Sequence, residues 1–523
     1  MRPTVPGMLA RATTFTLLGI DGIRVTVEAD IHTGLPTFTI VGLGDAAVQE
    51  SRERVRAALV NSGFDFPLRR ITVNLAPADL RKAGPAFDLA LAAALLAASG
   101  QARAQRLATH AFCGELGLDG SVRRVRGAIA MAAAAAAAGC EGIVVPRESA
   151  PEAALVVGVE VVPVGTLSEL AAFLAGEGPA AAERLDAREW LAAEPAEAED
   201  FAQLRGHRAL KHALEVAAAG GHNVLMMGPP GSGKSMAARR LPSIMPPLPL
   251  ADALEVTRIH SVAGVLGAAP LVQRRPFRAP HHSISAAGLV GGGGPPLPGE
   301  ASLAHHGVLF LDELSEFARP ALEALRQPLE EGRVHVTRAQ RTVCFPMRFV
   351  LVAATNPCPC GYQGDARRAC TCHPTVAARY RARLSGPLLD RIDMILRVEQ
   401  PRPRDVMAEA EPEGSRNIRE RVVAARALQE RRLRGTAAGC NAQMTHAQVR
   451  RLGALEQGAR TALHDAHERA GLTMRGHDRV LRVARTLADL DGSERVQRRH
   501  IAQAVAYREP PPAFEAAVAG VPA

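Results

Sequence analysis

An eight-residue segment, GPPGSGKS at residues 228–235, has the glycine spacing and the Lys-Ser pair of a phosphate-binding loop. It follows the apolar run NVLMM and precedes a helix predicted to begin at Met236, the strand–loop–helix context in which such loops fold. Lys234 is predicted to contact the β- and γ-phosphates of ATP, and the Ser235 hydroxyl is predicted to bind Mg²⁺. The residues predicted to surround the phosphates are Gly228, Pro229, Pro230, Gly231, Ser232 and Gly233.

Two further apolar runs end in polar side chains. GVLFLDEL at residues 307–314 predicts a buried strand with Asp312 and Glu313 at its carboxyl end, and FVLVAATNP at 349–357 ends in Asn356. Ligands bind at this end of parallel strands. Asp312 is predicted to help hold Mg²⁺, Glu313 to orient and polarise the attacking water, and Asn356 to bridge the γ-phosphate and that water. The sequence therefore predicts an ATP-hydrolysing site.

Four cysteines, Cys358, Cys360, Cys370 and Cys372, follow Asn356 and lie within a span of fifteen positions. Four thiolates suit tetrahedral Zn²⁺, although C-x-C spacing gives a tighter loop than the usual C-x-x-C. Two alternatives remain open, a structural zinc that shapes the loop or reduced thiols that pack together. A disulfide framework is not expected, because nothing at the N-terminus resembles a signal peptide and the chain is predicted to be cytoplasmic.

The elements that position these side chains divide the 523 residues into three blocks. Short β-like runs alternate with Ala/Leu-rich helical stretches over residues 12–172, and a second alternation starts near residue 204, so both blocks are predicted to be α/β. The intervening segment, rich in Ala, Glu and Pro, is predicted to be a solvated linker. The expected domains are residues 1–175, a linker at 176–203, residues 204–400, and a helical domain at 401–523.

The net charge of +9 is weak evidence for nucleic-acid binding, because arginine supplies 59 of the 62 basic residues. With so much Ala, Gly and Pro, this indicates the bias of a GC-rich genome, although residues 401–523 carry +6 of the charge. A lysine kept in such a chain, as in the phosphate loop, fits a role that needs a compact point charge. The longest bland apolar run is shorter than the roughly 20 residues of a membrane span, so no membrane partner is expected.

Longer motifs give the second block a family resemblance. PFRAPHHSIS, GEASLAHHGVLFLDEL, LRQPLEEG, NPCPCGY and SGPLLDRID resemble the magnesium-chelatase-like AAA+ ATPases, and within them the YifB/ComM family. The resemblance implies an AAA+ P-loop core, a parallel sheet flanked by helices, followed by an all-α C-terminal lid. It also implies that Arg391 is an arginine finger, that Arg475 is the sensor-2 arginine of the lid, and that the protein forms homo-oligomers, as hexameric rings.

The first block resembles the proteolytic domain of Lon, in the runs RKAGPAFDLALAAALLAASG and GELGLDGSVRRVRGAIAMAAAAAAAG. Ala86 stands where that family has its catalytic serine, and Ile129 or Met131 stands where it has its lysine. Without nucleophile and base, peptide hydrolysis by this dyad is not expected. The domain is predicted to be a binding or assembly module.

The resemblance implies a DNA helicase that promotes branch migration during natural transformation and homologous recombination, with branched or single-stranded DNA as partner. The alternative is a magnesium-chelatase-like ATPase that remodels a protein partner; Lon-like proteolysis is disfavoured by Ala86. A β-hairpin predicted between residues 331 and 348 has Arg338 and Arg341 near its turn, where DNA contact and a solvated tip are equally open. The glycine- and proline-rich run after His281 and His282 is predicted to be an inserted loop outside the core. The two histidines are candidate ligands or DNA contacts, with a structural role favoured.

Overall fold

The computed structural model describes residues 8–103, 105–178, 181–182, 184–192, 199–294, 296–338, 341–365, 367–384, 386–408, 412–470 and 472–508. These residues form a seven-stranded mixed sheet, a five-stranded parallel sheet and a helical C-terminal region. In this part of the chain, every helix is too short or too polar to cross a membrane.

The N-terminal sheet has the strand order β3-β4-β2-β1-β5-β8-β9, in which β2 pairs antiparallel with β1 and β4. Every second side chain of β2 from Val25 to Ile31 is buried, as expected for a strand with one face on a core. Helix α2 is apolar all round and is buried almost completely. The strands are β1 Met8–Leu18, β2 Asp21–His32, β3 Thr37–Val41, β4 Arg70–Ala76, β5 His110–Phe112, β6 Glu115–Leu116, β7 Val122–Arg123, β8 Gly142–Pro146 and β9 Glu160–Val164. The helices are α1 Ala46–Asn61, α2 Asp88–Ala98, α3 Gln105–Thr109, α4 Ala128–Ala137, α5 Ala150–Ala153, α6 Leu167–Ala175 and α7 Ala187–Ala192.

The second sheet has the order β11-β12-β15-β10-β16, with all strands parallel. Strands β10, β12 and β15 are buried along their whole length, because helices cover both faces of such a sheet. The strands are β10 Val224–Met227, β11 Phe277–Arg278, β12 Val308–Leu311, the hairpin β13 Arg333–Arg338 and β14 Arg341–Pro346, β15 Val350–Thr355 and β16 Met394–Arg397. The helices are α8 Arg208–Gly220, α9 Lys234–Ile244, α10 Leu250–Ala263, α11 Ala286–Val290, α12 Glu300–Leu303, α13 Arg319–Ala324, α14 Arg326–Glu331, α15 Pro374–Ala382, α16 Gly386–Leu389 and α17 Pro403–Ala408.

The C-terminal region packs on the amino end of the second sheet. Its central helix α21 buries Val480, Val483, Ala484 and Leu487, the i, i+3, i+4, i+7 stripe of an amphipathic helix. This stripe packs in one core with α8 and α18. The helices are α18 Ser415–Leu433, α19 His446–Leu452, α20 Gln457–Ala470, α21 Met474–Leu490 and α22 Arg498–Ala506.

The structure corrects two sequence predictions. The segment predicted to be a solvated linker contains helix α7, whose Ala187 is buried and packs in one cluster with Leu248 of the second block. The glycine- and proline-rich run predicted to lie outside the core begins with α11, whose Leu289 is fully buried. In both cases a few apolar side chains suffice to dock a segment whose average composition is that of a loop.

Candidate active site

The phosphate loop connects β10 to α9 at the carboxyl edge of the second sheet. Helix α9 begins at Lys234 itself, two residues earlier than predicted. Gly233, which precedes it, takes a φ of +83°, a left-handed conformation that favours glycine. The free N–H groups of the first helical turn therefore open into the loop, as an anion-binding site requires.

Lys234 points into this loop. Its Nζ donates to the carbonyl oxygens of Gly228 at 2.7 Å and Pro229 at 2.9 Å, and lies 3.3 Å from Asn356 Oδ1. Burial lowers the pKa of Lys234, and the negative charges of Asp312 and Glu313 oppose that shift. The structure therefore brings the lysine and Asn356 together at one edge of the sheet.

A hydroxyl and a carboxylate meet beside the lysine. Ser235 Oγ donates to Asp312 Oδ2 at 2.6 Å, although the two residues lie 77 positions apart in the chain. Asp312 directly follows β12, which neighbours β15 in the sheet. Oxygen donors of this kind are the ligands that Mg²⁺ prefers, so the residues present fit the metal that the sequence predicts here.

Glu313 leaves the strand in a strained conformation. Its φ is +52°, which is uncommon for a residue other than glycine and concentrates at functional sites. The side chain is 57% exposed, and its Oε2 lies 3.7 Å from Nδ1 of His282. The sequence alone favours a structural role for His282 and does not link it to Glu313, because the two residues are brought together only by tertiary structure.

Arg391 lies at the opposite, amino edge of the sheet. Its carbonyl oxygen accepts from Nδ2 of Asn223 at 3.1 Å, and Asn223 directly precedes β10. The guanidinium contacts Glu330 Oε1 at 2.5 Å and Pro387 O at 2.7 Å, with 11% of the side chain exposed. Strand β10 spans about 13 Å, so its length separates Arg391 from the phosphate loop of the same chain.

A buried ion pair joins this edge to α21. Asp393 Oδ1 lies 2.8 Å from Arg479 Nη1, and Asp393 Oδ2 accepts from the Asn223 backbone at 3.0 Å. Arg475 is exposed and lies one helical turn before Arg479. Residues four apart share a helix face, so Arg475 lies on the face of α21 that carries Arg479.

Two clusters of metal-type ligands occur among the described residues. One comprises the four cysteines predicted above, and the other, missed from the sequence, comprises Glu255, His305 and His306. In the second cluster, Nδ1 of His305 accepts the backbone N–H of Arg348 at 2.9 Å, so Nε2 carries the proton and faces Glu255 at 3.2 Å. The second cluster is therefore a carboxylate in contact with two histidine rings, with Glu255 Oε2 also 3.5 Å from His306 Nε2.

The N-terminal block has an apolar interior where a peptidase dyad would stand. Ala86 and Met131 belong to the same buried cluster, and Ile129 packs in a neighbouring one. Lys82 is fully buried, and its Nζ donates to the carbonyl oxygen of Pro77. The surroundings therefore offer hydrophobic packing where nucleophilic catalysis needs a hydroxyl and a base.

The predicted hairpin is present as β13 and β14, with Arg338 paired to Arg341 in the backbone register. The side chains of both arginines lie outside the described residues. Gly19, in the turn between β1 and β2, packs on the hairpin so tightly that an added Cβ would lie 2.2 Å from Val343. The base of the hairpin therefore docks on the N-terminal block.

Three family models match successive parts of the chain. The model described as subunit ChlI of Mg-chelatase matches residues 27–149, magnesium chelatase subunit ChlI matches 200–406, and magnesium chelatase subunit ChlI C-terminal matches 412–508.

Full-length relatives are similar too. Protein Rv2897c of Mycobacterium tuberculosis is 45% identical over 504 residues, which cover 96% of this chain and 99% of the relative. YifB of Escherichia coli is 43% identical over 497 residues, or 95% and 96% of the two chains. The competence protein ComM of Haemophilus influenzae is 41% identical over 500 residues, or 94% and 96%.

Proposed function

The chain belongs to the YifB/ComM family of magnesium-chelatase-like AAA+ ATPases, and from this we propose that it is an ATP-hydrolysing ring motor acting on DNA. The proposed activity is that of a helicase promoting branch migration during natural transformation and homologous recombination. The observation that carries the hydrolytic part is the hydrogen-bonded convergence of Lys234, Ser235 and Asp312 at one edge of a parallel sheet.

In the proposed reaction the loop backbone binds the phosphates of ATP, and Lys234 supplies positive charge to the β- and γ-phosphates. Ser235 and Asp312 hold Mg²⁺, which neutralises charge on the phosphate oxygens when bound. Glu313 orients and polarises the attacking water. Asn356, which lies beside the lysine, bridges the γ-phosphate and that water.

The remaining cations come from a neighbouring subunit. Arg391 lies a strand length away from the loop of its own chain, and Arg475 lies one helical turn before Arg479, which pairs with Asp393. An arginine finger placed in this way stabilises the transferring phosphoryl group of the next subunit. A site divided between subunits requires an oligomer, and a head-to-tail contact that closes gives a ring; we propose a hexamer.

DNA is proposed as the partner on three grounds. The family includes a protein named for competence, residues 401–523 carry +6 of the net charge of +9, and a hairpin in the ATPase block has two arginines next to its turn. Phosphate contacts by arginine position a protein on nucleic acid without reading its sequence. A motor that moves along many sequences needs contacts of that kind.

The alternative function is ATP-driven remodelling of a protein partner, which the magnesium chelatase models that match the chain favour. The proposal also includes a structural Zn²⁺ on the four cysteines, an N-terminal Lon-like domain that serves binding or assembly, an all-α lid at residues 401–523, and a cytoplasmic location where the thiols stay reduced.

One experiment separates the two functions. ATP hydrolysis is measured with no DNA, with duplex DNA and with four-way junctions, at two stated salt concentrations, because phosphate contacts weaken with salt. We expect junctions to raise the rate severalfold in wild-type protein and not in Lys234→Ala. Unchanged rates on every DNA, together with conversion of no junction, would refute the DNA motor and leave protein remodelling.

A further inference from the structure

The four cysteine sulfurs already occupy positions suited to one metal ion. Cys358 Sγ lies 3.4 Å from Cys360 Sγ and 3.6 Å from Cys370 Sγ, and Cys360 Sγ lies 3.5 Å from Cys370 Sγ. All four sulfurs lie within 4.8 Å of one another. A tetrahedral zinc with four thiolates separates its ligands by about 3.8 Å, so a small outward movement accommodates the ion.

Little else holds these cysteines together. Cys358 is buried, while Cys360, Cys370 and Cys372 are each partly exposed. Partly exposed thiols gain little from packing, and neutral S–H groups form weak hydrogen bonds. The backbone N–H of Cys360 points at Cys372 Sγ at 3.4 Å, an arrangement that stabilises a thiolate more than a thiol. These features favour the metal over the alternative of reduced packing thiols.

The cysteine loop, residues 358–372, touches the phosphate loop. At Gly361 an added Cβ would lie 2.5 Å from Cδ of Pro230, so the glycine backbone is packed directly on the proline ring. Gly361 also takes a φ of +86°, a conformation that favours glycine. On the other side of Pro230, Gln400 Nε2 donates to its carbonyl oxygen at 3.0 Å. The proline is therefore clamped between the cysteine loop and the end of β16.

The same loop continues from Asn356, which contacts Lys234. Its outer part is tied down separately, since Arg397 Nη2 donates to Gly364 O at 2.8 Å and Arg381 Nη1 to Gln363 Oε1 at 2.7 Å. The stretch between Asn356 and Gly361 contains two of the cysteines. A metal on the four sulfurs would fix that stretch, and with it both contacts to the nucleotide site.

We propose that the four cysteines bind zinc and that the zinc-held loop is a positioning element of the nucleotide site, acting through Gly361 on Pro230 and through the start of the loop on Asn356. This inference rests on the proposed nucleotide site. The zinc has no part in the hydrolytic chemistry; it holds the phosphate loop in its binding conformation.

Metal content and nucleotide affinity test the proposal in the full-length protein. Wild-type protein purified without chelator should hold about one zinc per chain. Cys370→Ser/Cys372→Ser should lose the zinc and bind a fluorescent ADP analogue on the order of tenfold more weakly. Cys372→His alone, which still offers four zinc ligands, should retain both properties. The matched control is Cys344→Ser, whose exposed thiol lies in the hairpin.

Gly361→Ala separates positioning from metal binding. It should keep the zinc but weaken ADP binding, because the new Cβ displaces Pro230. Gly364→Ala is its control, since Gly364 lies in the same loop with a φ of +77° but its added Cβ would meet only Arg397, at 3.7 Å. Circular dichroism establishes whether each variant folds. If the cysteine variants do not fold, Gly361→Ala still tests the contact between Gly361 and Pro230.

The outcomes are distinct. Wild-type protein without zinc would overturn the metal site, and zinc loss or Gly361→Ala without a change in ADP affinity would overturn the positioning role. Neither measurement involves DNA or hydrolysis, so a motor that ignores DNA would refute the proposed function and leave this inference standing. Zinc-loaded protein that binds no nucleotide would refute both.

Discussion

The two edges of the five-stranded sheet carry different kinds of polar side chain. At the carboxyl edge, Lys234 and Ser235 follow β10 and Asp312 follows β12, two strands separated by β15, and these side chains contact one another or the loop. At the amino edge, Arg391 is paired with Glu330, and Asp393 is paired with Arg479. One edge has the groups proposed to bind phosphate and metal, and the other has arginines paired with acids of their own chain. This division is what the proposed site shared between two subunits would require.

The strongest test of this division is Arg391→Ala. We expect the rate of ATP hydrolysis to fall about a thousandfold, the contribution of an arginine finger. Nucleotide affinity should stay near wild type, since the phosphate loop of the same chain lies a strand length away. Hydrolysis rate and equilibrium ADP binding are measured on the same preparation. Arg319→Ala, at an 82% exposed side chain, is the surface control; loss of binding in Arg391→Ala would place the arginine in its own site.

Lys234→Ala tests the carboxyl edge of the sheet. It removes the buried ammonium group of the loop, so both nucleotide affinity and hydrolysis should decrease, the rate by roughly a hundredfold. Isothermal titration with ADP and a phosphate-release assay measure the two effects. Arg239→Ala, an exposed cation on the same helix, should change neither.

Mixing the two variants sharpens the test. A Lys234→Ala subunit still offers Arg391, and an Arg391→Ala subunit still offers its loop, so random mixing at equal amounts should restore about a quarter of the sites. Each variant alone should remain inactive. A mixture no more active than its components would argue against a site shared between subunits.

Most of the carboxyl edge is predictable from sequence, because its signals are local. Residues 228–235 are contiguous, and the rule that parallel strands bind ligands at their carboxyl ends brings Asp312 and Asn356 to them across long stretches of chain. The amino edge has no such signal. Arg391 is one of 59 arginines, and its pairing with Glu330, like that of Asp393 with Arg479, depends on how helices pack after the chain has folded.

The same contrast holds for the fold. The alternation of short β-like runs with Ala/Leu-rich stretches predicts an α/β first block, and strands β4 and β8 and helix α2 occur in that block. The short helix α7 lies in a segment whose average composition is that of a linker. The helix is docked by a few side chains that are distant in sequence, and the periodicity of apolar residues does not predict such contacts.

Asp393→Asn tests how much the Asp393–Arg479 ion pair at the amino edge contributes to stability. Burial raises the pKa of Asp393, but the nearby His222 ring and the Arg479 charge outweigh that effect and hold the pKa below its usual value. Removing the charge leaves Arg479 buried and unpaired, at a cost of about 3 kcal/mol in the free energy of unfolding. Thermal denaturation measures this loss, with the exposed Asp405→Asn as control.

The pH dependence of that stability has a definite sign. A carboxyl whose folded pKa is depressed stabilises the protein fully above its unfolded pKa, and this contribution is lost as the pH falls through the lower folded value. Wild-type protein should therefore lose stability below about pH 4 more steeply than Asp393→Asn does. Parallel acid-denaturation curves for the two proteins would exclude Asp393 as the group responsible.

The smallest expected effect is at Glu330, which contacts the guanidinium of Arg391 at 2.5 Å and is itself 51% exposed. Half-exposed ion pairs contribute at most about 1 kcal/mol, so Glu330→Gln should change hydrolysis by no more than about fivefold. The direction identifies its role. If the glutamate only holds the arginine back within its own subunit, the rate per site should rise, because less free energy is spent in moving the finger to the neighbour. Glu331→Gln, at the next position, is the matched control and should leave the rate unchanged. A lower rate in Glu330→Gln would instead mean that the glutamate orients Arg391 toward the adjoining site. The amino edge would then contribute a Glu330–Arg391 ion pair rather than a lone arginine.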